Sequence, residues 1–287
     1  MKILVTGGSG FLGSHISDEL LNKGHKVYIF DKKKSKFLKK KQKFIKGNLS
    51  NIKLLEKLFK NIDVVYHFAA IADIQQAMNN PNDTVKTNIL STVKLLNLCV
   101  KHKIKKFIFG STIYVNSDEG SFYKSSKRAA ENYIEEYSKL FGLKFTILRY
   151  GSLYGERSEI NNGITKVIDY AKKNGLVTYD GSKDAVRNYI NVKDAAELST
   201  ECLKRKYDNK HIIISGQQKI KISKVLKIIK NFMKIKLPIV YRNKEKIGHY
   251  VKNPNTYKWK KGIKINLKNK SIFESDLKYY MRNLQEK

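Results

Sequence analysis

Tyr123 and Lys127 lie four residues apart in the stretch SFYKSSKRAAE, residues 121–131. On a helix, positions i and i+4 share a face, so a phenol would stand beside an ammonium. A nearby cation favours the phenolate, and the pair could then act as a general base with its activator. Tyr-x-x-x-Lys is also a common pattern, and the same residues could meet by chance. The elements around them decide between these readings.

Short apolar runs rich in β-branched and aromatic residues recur along the first half: KILVT (2–6), KVYIF (26–30), DVVYHFA (63–69), KKFIFGS (105–111) and KFTILRY (144–150). Helix-like segments lie between them at 13–23, 51–60, 84–102 and 124–141. Strands that alternate with helices imply a parallel sheet covered on both faces. From about residue 161 the alternation weakens. HIIIS (211–215), a helical 221–234 and a helical tail 271–284 suggest a smaller lobe interleaved with the sheet.

The first strand runs into VTGGSGFLGSH, with glycines at 7, 10 and 13. In that strand–turn–helix setting Gly7 allows the tight turn, Gly10 lets backbone approach a pyrophosphate, and Gly13 lets helix pack on strand. The helix N-terminus adds free N–H groups and a positive dipole end. Asp31 ends the second strand. A carboxylate there accepts from a ribose 2′-hydroxyl and repels a 2′-phosphate, which favours NAD over NADP.

The 287 residues are 41% hydrophobic, enough for one large domain or two modest ones. No run of about 18 apolar residues occurs, so no membrane span is expected. The N-terminal MKILVTGGSG reads as a strand and turn, not as a signal segment. Cys99 and Cys202 sit in apolar surroundings without metal-ligand spacing, and a cytoplasmic location is expected. The formal net charge is +33, which raises nucleic acid or an anionic membrane surface as partners. Lysine supplies nearly all of that charge, whereas nucleic-acid sites favour the arginine fork. The densest run, DKKKSKFLKKKQKF (31–44), reads as a solvated loop and helix face. Nucleic acid is not the expected partner.

Taken in order, the motifs resemble those of the extended short-chain dehydrogenases, the NAD-dependent epimerase/dehydratase family. The glycine spacing of TGGSGFLG is followed by GNLS (47–50), HFAA (67–70), KTNILST (86–92), FGST (109–112), YKSSK (123–127), LRYGSLYGERS (148–158) and YDGSKDAVRNYINVKDAAE (179–197). The match runs from residue 1 to about 200 and more faintly beyond. It implies an α/β fold: a Rossmann-type doubly wound parallel sheet with a smaller C-terminal substrate-binding lobe. Residues 1–160 would form the NAD-binding domain, with 177–193 returning to it, and 161–287 would form mainly the lobe. Gly7, Gly10, Phe11, Leu12, Gly13, Asp31, Asn48, Leu49, Phe68, Ala69, Ala70, Asn88, Tyr123 and Lys127 would border NAD. Asn48 stands where the family has an acid, and its amide oxygen can still accept a hydrogen bond.

The resemblance also gives the opening pair a task. Tyr123 would take a proton from a sugar hydroxyl, Lys127 would hold the nicotinamide ribose, and Thr112 would hydrogen-bond the same sugar oxygen. Bringing a tyrosine from about 10 to about 7 needs roughly 4 kcal/mol, within reach of Lys127 and a positive nicotinamide in a dry cleft. Arg187 and Arg242 (in IVYRNKEKIG) would hold a nucleotide-sugar diphosphate. Ser152 replaces a family asparagine at the nucleotide, Asn188 reads as structural, and Asn161 and Asn162 are candidates for the sugar pocket.

Two features depart from the pattern. Tyr123 follows Thr112 by only 11 positions, a shorter loop than the family's, which implies a more open sugar site. Ile113 and Tyr114 stand where the family's dehydratases carry Asp-Glu, so dehydration is not expected. The expected activity is an NAD-dependent nucleotide-sugar 4-epimerase acting through transient C4 oxidation to a 4-keto sugar, in surface-polysaccharide or glycan synthesis. A 4-dehydrogenase or 4-keto reductase would use the same residues with net cofactor turnover. A non-catalytic, nucleic-acid-binding relative would have lost Thr112, Tyr123 or Lys127, and all three are present. A homodimer through 84–102 and 124–141 is expected, because LLNLCV and YIEEYSKLF carry more apolar positions than one sheet face needs.

Overall fold

The computed structural model describes residues 1–242, 261–267 and 272–285. The N-terminal half alternates as the sequence predicts, with strands β1 (Lys2–Thr6), β2 (Lys26–Asp31), β3 (Lys43–Lys46), β4 (Val64–His67), β5 (Lys106–Thr112) and β6 (Phe145–Tyr150). The chain then leaves the sheet through β7 (Ser152–Tyr154), β8 (Thr178–Asp180), β9 (Val186–Arg187) and β10 (Tyr189–Asn191). It returns as β11 (Lys210–Ile214), leaves again through β12 (Ile220–Lys221) and β13 (Val240–Arg242), and adds β14 (Ile263–Lys264). Among the described residues the main sheet is eight-stranded in the order β14-β11-β6-β5-β4-β1-β2-β3. Every neighbouring pair in it runs parallel. Strands buried on both faces read as near-continuous apolar runs, and every residue of β4, β5 and β6 is buried.

The helices are α1 (Phe11–Asn22), α2 (Ile52–Phe59), α3 (Ile74–Asn79), α4 (Pro81–Thr84), α5 (Ser91–Lys101), α6 (Ser121–Phe141), α7 (Gly163–Asn174), α8 (Val192–Glu201), α9 (Ile222–Phe232) and α10 (Phe273–Gln285). On one sheet face Leu55 and Phe59 of α2, Leu95 and Cys99 of α5 and Ile134 of α6 enter a common core. On the other, Ile16 and Leu20 of α1 meet Ala195 and Leu198 of α8. A third core belongs to the lobe, where α7, α9 and α10 pack around Tyr154. The fold is therefore a Rossmann-type α/β sandwich with a lobe. Strand order reverses between β1 and β4, and ligands of such sheets bind in the crevice outside that point. Segment 192–214 packs on the sheet, so the lobe is built from chain on both sides of it. Among the described residues no helix is long and apolar enough to cross a membrane.

Three local readings change. The lysine-rich 32–42 carries no helix; it is a loop that leads into β3. KFIK escapes notice as a strand because it is the sheet edge, where flanking lysines keep other chains from pairing. The single helix read at 84–102 is α4, one π turn (Val85–Leu90) and α5. Finally, the apolar residues of LLNLCV are not spare: Leu95, Leu96, Leu98 and Cys99 are at most 5% exposed within one chain.

Candidate active site

The glycine turn is a steric necessity. Gly7 has φ +71°, and a Cβ there would lie 2.5 Å from the Ala69 nitrogen. A Cβ on Gly13 would lie 2.2 Å from the Gly7 carbonyl oxygen. Gly10 is the N-cap of α1 in extended conformation and brings no side-chain cap, so the first N–H groups of the helix remain for an anion. Asp31 ends β2 with its carboxylate fixed from behind: Ser9 N donates to Oδ2 at 3.1 Å and Lys33 N to Oδ1 at 3.3 Å.

These residues open onto one cleft of about 1940 Å³. Gly7, Gly10, Phe11, Leu12, Gly13, Asp31, Asn48, Leu49, Phe68, Ala69 and Ala70 line its sheet side. A glycine cradle, an uncapped helix start and a carboxylate at the second strand end together fit a dinucleotide: α1 would hold its pyrophosphate and Asp31 a ribose. Asn88 is different. It is 1% exposed and does not line the cleft. Its Oδ1 accepts from Ile71 N at 2.8 Å, and its Nδ2 donates to Ile71 O at 3.0 Å and Ser126 Oγ at 2.9 Å. Ser126 Oγ in turn donates to Tyr123 O at 2.8 Å. Asn88 props the helix that carries Tyr123, and the π turn presents it; such turns recur at functional sites.

Thr112 at the end of β5, and Tyr123 and Lys127 on α6, meet in the middle of the cleft. The Thr112 and Tyr123 side chains hydrogen-bond each other, yet burial, with Tyr114 nearby, pushes the phenol above its usual range. Lys127 turns chiefly toward β5. Its Nζ donates to Gly110 O at 2.7 Å and lies 4.6 Å from the Phe109 ring centroid, against 6.0 Å for the Tyr123 ring. Burial brings Lys127 itself down to about 7, opposed by Glu131. Behind the wall, His67 ties Thr6 (2.6 Å) to Thr92 (3.1 Å) and is held neutral by burial, at about 3.

The short β5–α6 loop makes a 3₁₀ turn (Ile113–Asn116) and then enters α6 through Gly120 at φ +99° and Ser121 at φ +47°. Arg128 closes it, donating to Val115 O at 2.5 Å and Ser117 O at 3.2 Å. Of the two residues in the dehydratase positions, Tyr114 lines the cleft.

Ser152, Asn161, Asn162, Arg187 and Arg242 line the lobe side. Arg187 donates to Val186 O at 3.2 Å, and Arg242 to the Tyr170 hydroxyl at 3.1 Å. Asn162 also ties α7 to Leu153 O at 2.8 Å. Asn188 is buried and lies off the cleft; its Nδ2 donates to Gly216 O at 3.2 Å. Sequence reasoning missed Tyr150 and Tyr189 on the wall and a buried Glu131–Arg149 pair behind it. Glu131 had a signal, since it continues the i+4 series of Tyr123 and Lys127.

The chain is similar to known proteins in sequence and fold. A putative UDP-glucose 4-epimerase of Methanocaldococcus jannaschii is 30% identical over 80% of this chain and 81% of its own length. A UDP-N-acetyl-alpha-D-glucosaminuronate decarboxylase of Bacillus cytotoxicus is 29% identical over 86% of this chain and 84% of its own. The solved UDP-glucose 4-epimerase of Thermotoga maritima, bound to UDP-glucose, superposes with a TM-score of 0.86 at 26% identity, covering 100% of this chain and 99% of that one. The profile of the NAD dependent epimerase/dehydratase family matches residues 3–215, so the chain belongs to that family and is an NAD-dependent enzyme.

Proposed function

We propose that this enzyme is a cytoplasmic nucleotide-sugar 4-epimerase. The observation that carries the reading is the place of Tyr123, Thr112 and Lys127. They stand where the dinucleotide wall meets the lobe wall that bears Arg187 and Arg242. Similarity to UDP-sugar epimerases supports it. So does the absence of an acid at Ile113 and Tyr114, where elimination would need one.

The glycine turn, Asp31 and the 48–49 and 68–70 segments would hold NAD, which would supply a reversible hydride acceptor. The chain's own residues handle the proton and the pose. Arg187 and Arg242 clamp the diphosphate through charge-assisted hydrogen bonds. Thr112 fixes the sugar hydroxyl against the Tyr123 oxygen. Tyr123 accepts that proton and returns it. The raised phenol must come down for this, and a cation brought close to it acts in that direction. Lys127, already near 7, sits within the same enclosed space.

A homodimer through α6 belongs to the proposal. Tyr133, Leu140 and Phe141 there are 47%, 72% and 57% exposed. A monomeric mass in solution scattering at micromolar concentration would remove it.

The test is to mix purified protein, NAD and a panel of nucleotide sugars, uronic acids included, and to follow the sugar ring protons by NMR. A new C4 epimer without NADH accumulation is expected. Keto sugar with stoichiometric NADH, or loss of the carboxylate from a uronic acid, would replace the epimerase reading.

A further inference from the structure

Helix α6 carries four polar side chains at successive i+4 positions: Tyr123, Lys127, Glu131 and Glu135. The first two border the cleft. Glu131, one turn further, is 1% exposed, and a carboxylate so deep must be paired. Arg149 on β6, itself 0% exposed, supplies the pairing. Its Nη2 donates to Oε2 at 2.6 Å and its Nε to Oε1 at 3.1 Å. Ser111 Oγ donates to Oε1 at 2.6 Å. Ser111 follows Gly110, whose carbonyl holds Lys127 at 2.7 Å, and precedes Thr112. On the far side His211 of β11 brings Nδ1 within 3.6 Å of Glu131 Oε2 and bonds Glu135 through Nε2 at 2.7 Å.

A buried ion pair is a weak source of stability, since an apolar pair of similar volume often serves as well. The location of this one is more informative. It joins the strand end that carries Thr112 to the helix turn that carries Lys127.

We propose that Glu131, locked by Arg149, is a positioning residue for the reaction: its bond to Ser111 sets the end of β5, and so both the Gly110 carbonyl that holds the Lys127 ammonium and the Thr112 hydroxyl. This rests on the reading of Thr112, Tyr123 and Lys127 given above. The groups facing Lys127 are few. Tyr123 shares its helix, Phe109 and Gly110 face it from β5, and neutral His67 faces it from β4. Arg149 and His211 face Glu131 instead, and His211 is held neutral by burial, at about 4. Burial favours neutral Lys127 and Glu131 favours the ammonium. Without Glu131, Lys127 loses its proton at lower pH.

The experiment is an NMR titration of ¹³Cε-labelled lysines in the full chain, with the Lys127 signal assigned by its loss in Lys127→Met. In Glu131→Gln the Lys127 midpoint is expected to fall by about one pH unit or more, and Glu131→Asp restores most of it. The alkaline limb of kcat moves to lower pH in step, while KM stays within about twofold, as removal of a transition-state interaction requires. Glu131→Gln leaves the Arg149 guanidinium buried without a counter-charge. The double variant Glu131→Gln/Arg149→Met removes both charges, and a smaller fall in the same direction is expected there. A Lys127 midpoint unmoved in either folded variant overturns the proposal. Turnover by Lys127→Met at the wild-type rate would instead sink the catalytic reading of Lys127 and leave the titration result standing.

Discussion

On the sheet side of the cleft, Gly7, Gly10 and Gly13 present main chain to the ligand, braced by Ala69 and by their own turn. On the lobe side, Arg187 and Arg242 present long side chains from strands of two and three residues. The first wall is set by sterics, and any Cβ there meets backbone. The second is held by contacts such as Arg242 to Tyr170, which a different residue could make differently. A wall of backbone can serve one ligand and little else. A wall of side chains on short ribbons can be re-aimed without disturbing the sheet, and under the proposed function the choice of sugar nucleotide would belong there.

This contrast can be broken in several places. The largest effect should come where the walls meet. Tyr123→Phe is expected to lower turnover by about 10²–10⁴-fold with NAD binding unchanged, as steady-state rates and calorimetry would show. If NAD affinity collapsed instead, the phenol would belong to the sheet wall.

Acid should weaken the sheet wall from within. His67 is held at about 3 in the folded chain, against about 6.5 when unfolded. Between those values only the unfolded state takes up the proton. Stability should therefore fall as pH drops through that window, by at most about 5 kcal/mol. Urea midpoints between pH 7 and 4 measure the loss, and His67→Gln should flatten the slope.

Gly13→Ala should cost about 1–3 kcal/mol of stability or more and abolish NAD binding, read by urea unfolding and calorimetry. Native stability with NAD still bound would mean that the turn yields more than its 2.2 Å clearance suggests. On the other wall, Arg187→Ala removes charge-assisted contacts of roughly 1.5–3 kcal/mol. KM for the nucleotide sugar should rise about 10–100-fold with kcat and thermal stability nearly unchanged. A fall in stability matching that of Gly13→Ala would erase the distinction.

The same contrast explains what could be read before the fold was known. The glycine turn and the buried strands are legible because sterics and apolar continuity leave a local mark. Tyr123 and Lys127 are legible because helix geometry converts spacing into proximity. KFIK is illegible as a strand because an edge looks like its lysine-rich surroundings. The apolar excess of α5 reads as outward-facing because composition does not say which face meets a core, and here the core takes it. The direction of Lys127 toward Gly110 depends on a carbonyl 17 positions away in the chain. Glu131 meets Arg149 across 18 positions, a pairing that only the β5–α6–β6 crossover creates.

The π turn at Val85–Leu90 also constrains how this rod can evolve. A π turn holds one residue more than an α turn, so it works as a phase shifter between the two ends of a continuous helix. Deleting a single residue within it would rotate everything upstream by about 100°. Asn88 would swing away from Ser126 while α5 kept its seat on the sheet. Insertions and deletions are thus barred from a partly exposed segment by helical angle alone, whatever its side chains touch.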